Sequence, residues 1–110
     1  MNKNDLVTIG ITTFNSDLGY LSKSIESAIN QTYLNIEIIV SDDGSSNIDE
    51  IEDLIYKFAD SRIVFIKNKK NEGVSNSLNH IIAKANGNYF CWCPDDDFMD
   101  RNKIEEQVMS

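Results

Sequence analysis

The sequence is short of nearly every residue type that staples a small protein or gives it a basic surface. It has two cysteines, one proline and one histidine in 110 residues. Cys91 and Cys93 stand at i and i+2, so on a strand both point to one face, a poor geometry for a disulfide within the pair. Two thiols also fall short of the four ligands of a structural zinc. Buried, reduced thiols are therefore expected. Basic residues are few: 10 Lys and Arg stand against 18 Asp and Glu, a net charge of −8. That balance excludes sequence-independent nucleic-acid binding, which needs a basic face. It does not exclude a nucleotide held through a metal ion, because the ion brings the positive charge. No apolar run approaches the roughly 20 residues that span a bilayer. The front, Met1 to Asp5, runs into an apolar stretch too short, and with Asp5 at its start, for a secretion signal, which sets the cytoplasm as the expected compartment. Neither GxxxxGK followed by Ser or Thr nor GxGxxG occurs, which disfavours ATPases and dinucleotide enzymes.

What remains is ordinary globular material, 41% hydrophobic and 25% charged, at a length suited to a single small domain over residues 1–110. Its most informative stretch is Asn88 to Asp97. An apolar run, Tyr89 to Cys93, stops at the one proline, Pro94, and three carboxylates follow, Asp95, Asp96 and Asp97. The run's length and aromatic content predict a buried strand, and Pro94 cannot donate to a ladder, so pairing ends there. Trp92, inside the run, is expected to pack. Two unit charges about 4 Å apart repel by about 4 kcal/mol at an effective dielectric near 20. A divalent cation bridging to phosphate oxygens would relieve that repulsion, and Mn2+ or Mg2+ takes such hard oxygen ligands.

The remaining chain alternates strand and helix. Leu6 to Thr12 is apolar and β-branched with little polar alternation, as expected of a strand covered on both faces. From about Leu18 to Gln31, positions Leu21, Ile25, Ala28 and Ile29 share one helical face, and Asp17 suits the N-cap. Ile36 to Ser41 is a second strand. Asn47 and Glu50 stand at capping-box spacing before a helix striped by Ile48, Ile51, Leu54, Ile55 and Phe58. Arg62 to Lys67 is a third strand. A third helix carries Val74, Leu78, Ile81, Ile82 and Ala85, with Asn86-Gly87 as its expected C-cap. Arg101 to Met109 begins another helix. The order predicts an α/β fold: an open, mostly parallel sheet with helices on both faces and right-handed crossovers. The first and fourth strands should be neighbours.

Three polar clusters then follow strand ends: Thr12 to Asn15, Asp42 to Ser46, and Asp95 to Asp97. In a parallel sheet the carboxyl ends share one edge, where ligands bind in open α/β folds. Each cluster has a task if the ligand is a nucleoside diphosphate. Phe14 would stack on a base and Asp43 would accept a base N–H. One aspartate of the triplet would bind ribose hydroxyls and another the metal. Asn71-Glu72-Gly73 precedes a helix whose N-terminal amides can meet an anion. Each feature also has a plain structural reading, as core, turn or helix entry, and only their joint placement favours function.

At this point the chain resembles the N-terminal, nucleotide-sugar-binding half of a family-2 glycosyltransferase with the Rossmann-like GT-A fold. The matching segments are Val7 to Asn15, Ser27 to Tyr33, Glu37 to Ser46, Asn71 to Ser75 with Asn79, and Ala85 to Tyr89 running into Asp95–Asp97. The resemblance implies a nucleotide-diphosphate sugar as donor, with UDP-sugars favoured, and a glycan or lipid-linked acceptor for cell-surface polysaccharide. It implies Thr12 and Phe14 at the base pocket, Asp43 reading the base, Asp95 at the ribose or diphosphate, Asn15 and Gly73 among the other donor-binding residues, and Asp96 with Asp97 at Mn2+ or Mg2+. Three positions depart from the family pattern: Thr12 replaces a common proline, Phe14 a usual tyrosine, and Pro94 the first acid of an Asp-x-Asp motif. The family carries a second half with the acceptor site and catalytic base, so the expectation is a truncated unit that binds donor without transferring it alone. A longer form is expected to sit peripherally at a membrane, and the truncated chain to self-associate. The competing readings are a non-catalytic interaction module of the same fold and a nucleotidyltransferase. The latter usually has a glycine-rich basic loop, which is absent after the first strand.

Overall fold

The computed structural model describes residues 4–109; Met1 to Lys3, the front of the expected non-signal stretch, and Ser110 lie outside the described residues. Four strands, β1 (Val7–Thr13), β2 (Ile36–Asp42), β3 (Ile63–Lys67) and β4 (Tyr89–Trp92), alternate with helices α1 (Leu18–Ile29), α2 (Ile48–Lys57) and α3 (Val74–Lys84). A last helix, α4 (Lys103–Met109), follows β4. The sheet order is β3-β2-β1-β4, and every pairing is parallel. β1 and β4 are neighbours as expected, with Val7 opposite Tyr89 and Gly10 opposite Trp92. The near-continuous burial of β1 and β2 reflects their central place, because both faces are covered.

One face carries the main core. Val7, Ile9, Ile11, Ile36, Ile38 and Val40 meet Leu21, Ile25 and Ala28 of α1, Ile51 and Ile55 of α2, and Ile104 and Val108 of α4. The opposite face is covered by α3. Gly10 points there, and a methyl group added to it would lie 3.0 Å from Ile81 and 2.6 Å from the Phe90 ring. Asp17 caps α1 by accepting from the Tyr20 backbone N–H. Two expected caps are absent. Asn47 makes no side-chain cap and donates instead to the Ser16 carbonyl oxygen. α3 ends on an extended Ala85, and the next two amides leave the helix altogether.

Those two amides explain how the amino edge of the sheet is closed. The Glu37 carboxylate accepts from Thr8 Oγ1 at 2.6 Å, from the Asn86 N–H at 2.5 Å and from the Gly87 N–H at 3.1 Å. One carboxylate thus ties β2 to β1 and to the turn entering β4.

The expectation of a buried fourth strand is overturned. Tyr89, Phe90 and Trp92 are 39, 41 and 44% exposed. β4 is at an edge of the sheet, and the helices cover only its inner flank. An apolar run marks a strand, but it does not say which neighbours the strand will have.

Burial works against the Glu37 charge, yet the hydrogen bonds from Thr8, Asn86 and Gly87 outweigh it and hold its pKa below the ordinary value. A carboxyl depressed in the folded state contributes stability above its unfolded pKa, about 4.3, and loses it as pH falls through the folded value. Glu37→Gln should therefore unfold at lower urea at neutral pH and show a flatter loss of stability below about pH 4.3. Parallel urea midpoints at pH 7 and pH 3.5 would check this, and an unchanged pH dependence would refute it.

Candidate functional site

At the carboxyl edge of the sheet, neighbouring strand ends are locked together through the buried carboxylate of Asp42, which is 0% exposed. It accepts from Thr13 Oγ1 at 2.7 Å across the β1–β2 pair. Around its own turn it accepts from the Gly44 and Ser45 backbone N–H groups at 3.1 and 2.8 Å, and from Ser45 Oγ at 2.5 Å. The Ser45 hydroxyl in turn accepts from the Asn15 N–H at 2.8 Å. Asn15, at φ 49°, uses its side-chain oxygen to accept from the Ser46 N–H. The loops after β1 and β2 are therefore a single hydrogen-bonded body.

Asp43 faces the other way. Its carboxylate accepts from the Glu72 and Gly73 N–H groups at 2.8 and 2.9 Å, which fixes the entry of α3. Gly44 permits the crossing. It sits at φ +79°, and a methyl group on it would lie 2.5 Å from the Lys70 carbonyl carbon. Gly73, at φ +100°, turns the chain into α3.

The acid turn after β4 is held by α1. The Asp97 N–H donates to the Pro94 carbonyl oxygen at 3.0 Å. Ser24 Oγ, buried on α1, lies in hydrogen-bonding contact with the carbonyl oxygens of both Pro94 and Asp97. The Ser16 hydroxyl donates to the Asp95 carboxylate. Asp96 is exposed at the crest of this turn.

These segments enclose a cleft of about 390 Å³. β1 and its loop supply Thr12, Thr13 and Phe14; β2 supplies Asp43; the entry and first turn of α3 supply Asn71, Gly73, Val74 and Ser77; β4 and its turn supply Trp92, Pro94 and Asp95. Of the residues singled out in the sequence, Thr12, Phe14, Asp43, Gly73 and Asp95 come together here. Asn15 does not line the cleft, and neither do Asp96 and Asp97. Asn15 is spent on the Ser45–Ser46 turn, and Asp97 accepts from the Phe98 N–H. Sequence reasoning missed Val74, Ser77 and Trp92 as lining residues. Ser77 lies one helical turn past Gly73, a spacing that could have flagged it, and its buried hydroxyl has no partner. Trp92 was expected to pack; its indole is half-exposed and donates to Thr12 Oγ1 at 3.1 Å.

Both cysteines are free thiols, Cys93 buried and Cys91 partly so. Burial, the Asp97 carboxylate and Cys91 push the Cys93 thiol up to about 11, so it stays protonated and inert at neutral pH. Among the described residues no three His, Cys, Asp or Glu side chains converge as a complete metal cage.

The family model for glycosyl transferase family 2 matches residues 8–110. An uncharacterized glycosyltransferase of Rickettsia felis is 41% identical over 103 residues, covering 94% of this chain and 17% of that protein. The Escherichia coli UDP-Glc:alpha-D-GlcNAc-diphosphoundecaprenol beta-1,3-glucosyltransferase WfaP is 40% identical over 105 residues, covering 94% of this chain and 40% of the enzyme. The chain thus spans less than half the length of either relative. Among solved structures, the Pyrobaculum calidifontis mannosyltransferase PcManGT in complex with GDP-Man and Mn2+ superposes with a TM-score of 0.82 at 18% identity, over 93% of this chain and 31% of that one. S. aureus TarS 1-349 in complex with UDP-GlcNAc superposes with a TM-score of 0.86 at 18% identity, over 99% and 30%. At that identity the likeness is one of fold, GT-A.

Removing the Asp42 carboxylate leaves two hydroxyls and two amides without their acceptor. Asp42→Ala should cost about 3 kcal/mol of unfolding free energy, against a typical surface change of about 0.5 kcal/mol. Urea unfolding would measure it, and a loss no larger than the surface value would show that the lock is not needed.

Proposed function

The chain belongs to glycosyl transferase family 2, and from that premise we propose that it is the donor-binding part of a metal-dependent, inverting sugar transferase. The donor is a nucleotide-diphosphate sugar, with a UDP-sugar favoured. The observation that carries the reading is the shared cleft, into which three separate strand ends bring Phe14, Asp43 and Asp95. Phe14 offers an exposed ring for a base, Asp43 a carboxylate beside the entry of α3, and Asp95 an acceptor for ribose hydroxyls. Further support comes from relatives and neighbours whose names include UDP-Glc, GDP-Man and UDP-GlcNAc.

The carboxylates after β4 are hard oxygen donors of the kind Mn2+ or Mg2+ takes, although among the described residues no three such ligands converge. Asp96 presents a hard, exposed oxygen ligand, and such ions complete their shell with substrate phosphates and water rather than an all-protein cage. Asp96 would hold the ion, with Asp97 beside it, and Pro94 removes one further carboxylate from the motif. When bound, the ion supplies charge for the departing diphosphate. The chain's own part is to bind and orient the donor; we assign the acceptor site and the base that deprotonates it to residues outside this unit. The acceptor proposed is a glycan or lipid-linked saccharide for cell-surface polysaccharide. The E. coli relative's diphosphoundecaprenol acceptor supports that class. Work in the cytoplasm, at the membrane surface in a longer form, follows from such an acceptor. No described helix is long and apolar enough to cross a membrane.

Calorimetry with UDP and GDP, each with and without Mn2+, tests the reading. Binding should need Mn2+, and Asp96→Ala should weaken it roughly ten-fold, the loss of about one charge-assisted contact. No heat from either nucleotide with Mn2+ would refute it.

A second reading, a self-associating interaction module, is favoured by one observation. Phe90 and Tyr89 are exposed on the open edge strand, and Ile82 of α3 is 57% exposed. Sedimentation of the 110-residue chain should then show a dimer that Ile82→Glu converts to monomer. A concentration-independent monomer of the parent chain would remove this reading.

A further inference from the structure

The half-exposed indole in the cleft wall has a task that the donor-binding reading does not yet give it. Side chains alternate along β4, so Phe90 and Trp92 project to the face that α3 covers. Phe90 finds Gly10 and Ile81 beneath it. Two residues on, the sheet's carboxyl edge has opened, and Trp92 stands in the cleft wall with Val74 and Thr12. It is 44% exposed there. An aromatic of this size is normally among the best-buried groups in a domain, and its ring N–H normally seeks a partner. Here the partner is present and the burial is not. The Nε1–H donates to Thr12 Oγ1 at 3.1 Å, which fixes the edge of the indole and leaves its ring surface to whatever fills the cleft.

Resting on the donor-binding reading, we infer that Trp92 is a ligand-contacting residue that packs its ring on the nucleoside part of a nucleoside diphosphate, and that Thr12 is a positioning residue which holds the indole for that contact. The chemistry selects the nucleoside over the diphosphate. With its single N–H engaged, the indole has no donor left for phosphate oxygens, whereas a flat base or the carbon face of a ribose matches its surface. The placement agrees. Asp43 stands at the end of β2 and Trp92 at the end of β4, with Thr12 and Phe14 of β1 between them. The nucleoside is thus gripped from both sides of the central strand. Thr12, only 8% exposed, acts through the indole.

The test uses the fact that Trp92 is the chain's one tryptophan, so intrinsic emission reports it alone. UDP or GDP, whichever binds in calorimetry with Mn2+, should quench or shift that emission. Pyrophosphate with Mn2+ at the same concentration should leave it unchanged. Trp92→Leu should weaken nucleotide binding about ten-fold or more, the usual loss for one stacked ring. Trp92→Phe, which keeps a ring, should retain most of the affinity. Thr12→Val should lower the emission anisotropy of Trp92 and weaken binding, and Thr12→Ser should restore both. If the nucleotide binds the parent chain but leaves the emission unmoved, and Trp92→Leu binds equally well, the inference is wrong while the donor-binding reading stands. If Trp92→Leu does not fold, the emission arms with nucleotide and pyrophosphate decide alone. If neither nucleotide binds the parent chain, the donor-binding reading fails first and this inference with it.

Discussion

Everything at the carboxyl edge of this sheet depends on one buried carboxylate. Asp42 has no exposed surface, and burying an ionised group without partners would be strongly unfavourable. Four donors remove that difficulty, and they come from two different segments: Thr13 on β1, and Gly44 with Ser45 on the turn after β2. The same groups that solvate the charge therefore fasten the strand ends to each other. Ser45 extends the fastening by accepting from Asn15. Phe14, next to Asn15, and Asp43, next to Asp42, inherit their positions from this arrangement.

Adjacent acids divide the work because a strand sends successive side chains to opposite sides. Asp42 turns inward and holds the scaffold. Asp43 turns to the cleft and fixes the entry of α3 through Glu72 and Gly73. The same division recurs after β4, where Asp95 is held by Ser16 and Asp96 remains in solvent. At the far edge of the sheet, Glu37 ties Thr8 to the Asn86–Gly87 turn. Carboxylates thus lock both ends of the sheet.

The acid turn is positioned from outside its own strand. Pro94 ends the pairing of β4, and the carbonyl groups of Pro94 and Asp97 are then met by Ser24 on α1. Cys93 beside them is buried and protonated, so it serves as packing. A serine on a helix some seventy residues earlier is thus what holds the acids at the mouth of the cleft. On β4, Phe90 lies over Gly10 and Trp92 stands in the cleft wall, and both stay partly exposed because the strand ends the sheet order.

Part of this was legible without coordinates. Hydrophobic periodicity and chain punctuation are local properties, so the run of strands and helices, the parallel sheet and the gathering of Phe14, Asp43 and Asp95 on one edge followed from the residue order. Local signals misled where a residue had two possible partners: Asn47 had the spacing of a cap and bonded to Ser16, and Asn86-Gly87 had the composition of a cap and bonded to Glu37. Three matters were settled only by the tertiary structure. Both Asp42 and Asp43 are buried, and which of them ties β1 and which ties the entry of α3 depends on where each finds its donors. Whether β4 is covered depends on its place at the end of the order β3-β2-β1-β4. Whether Trp92 packs or lines a cleft depends on where α3 begins relative to the end of β4. Each is a relation between segments far apart in the chain, and no pattern within either segment carries it.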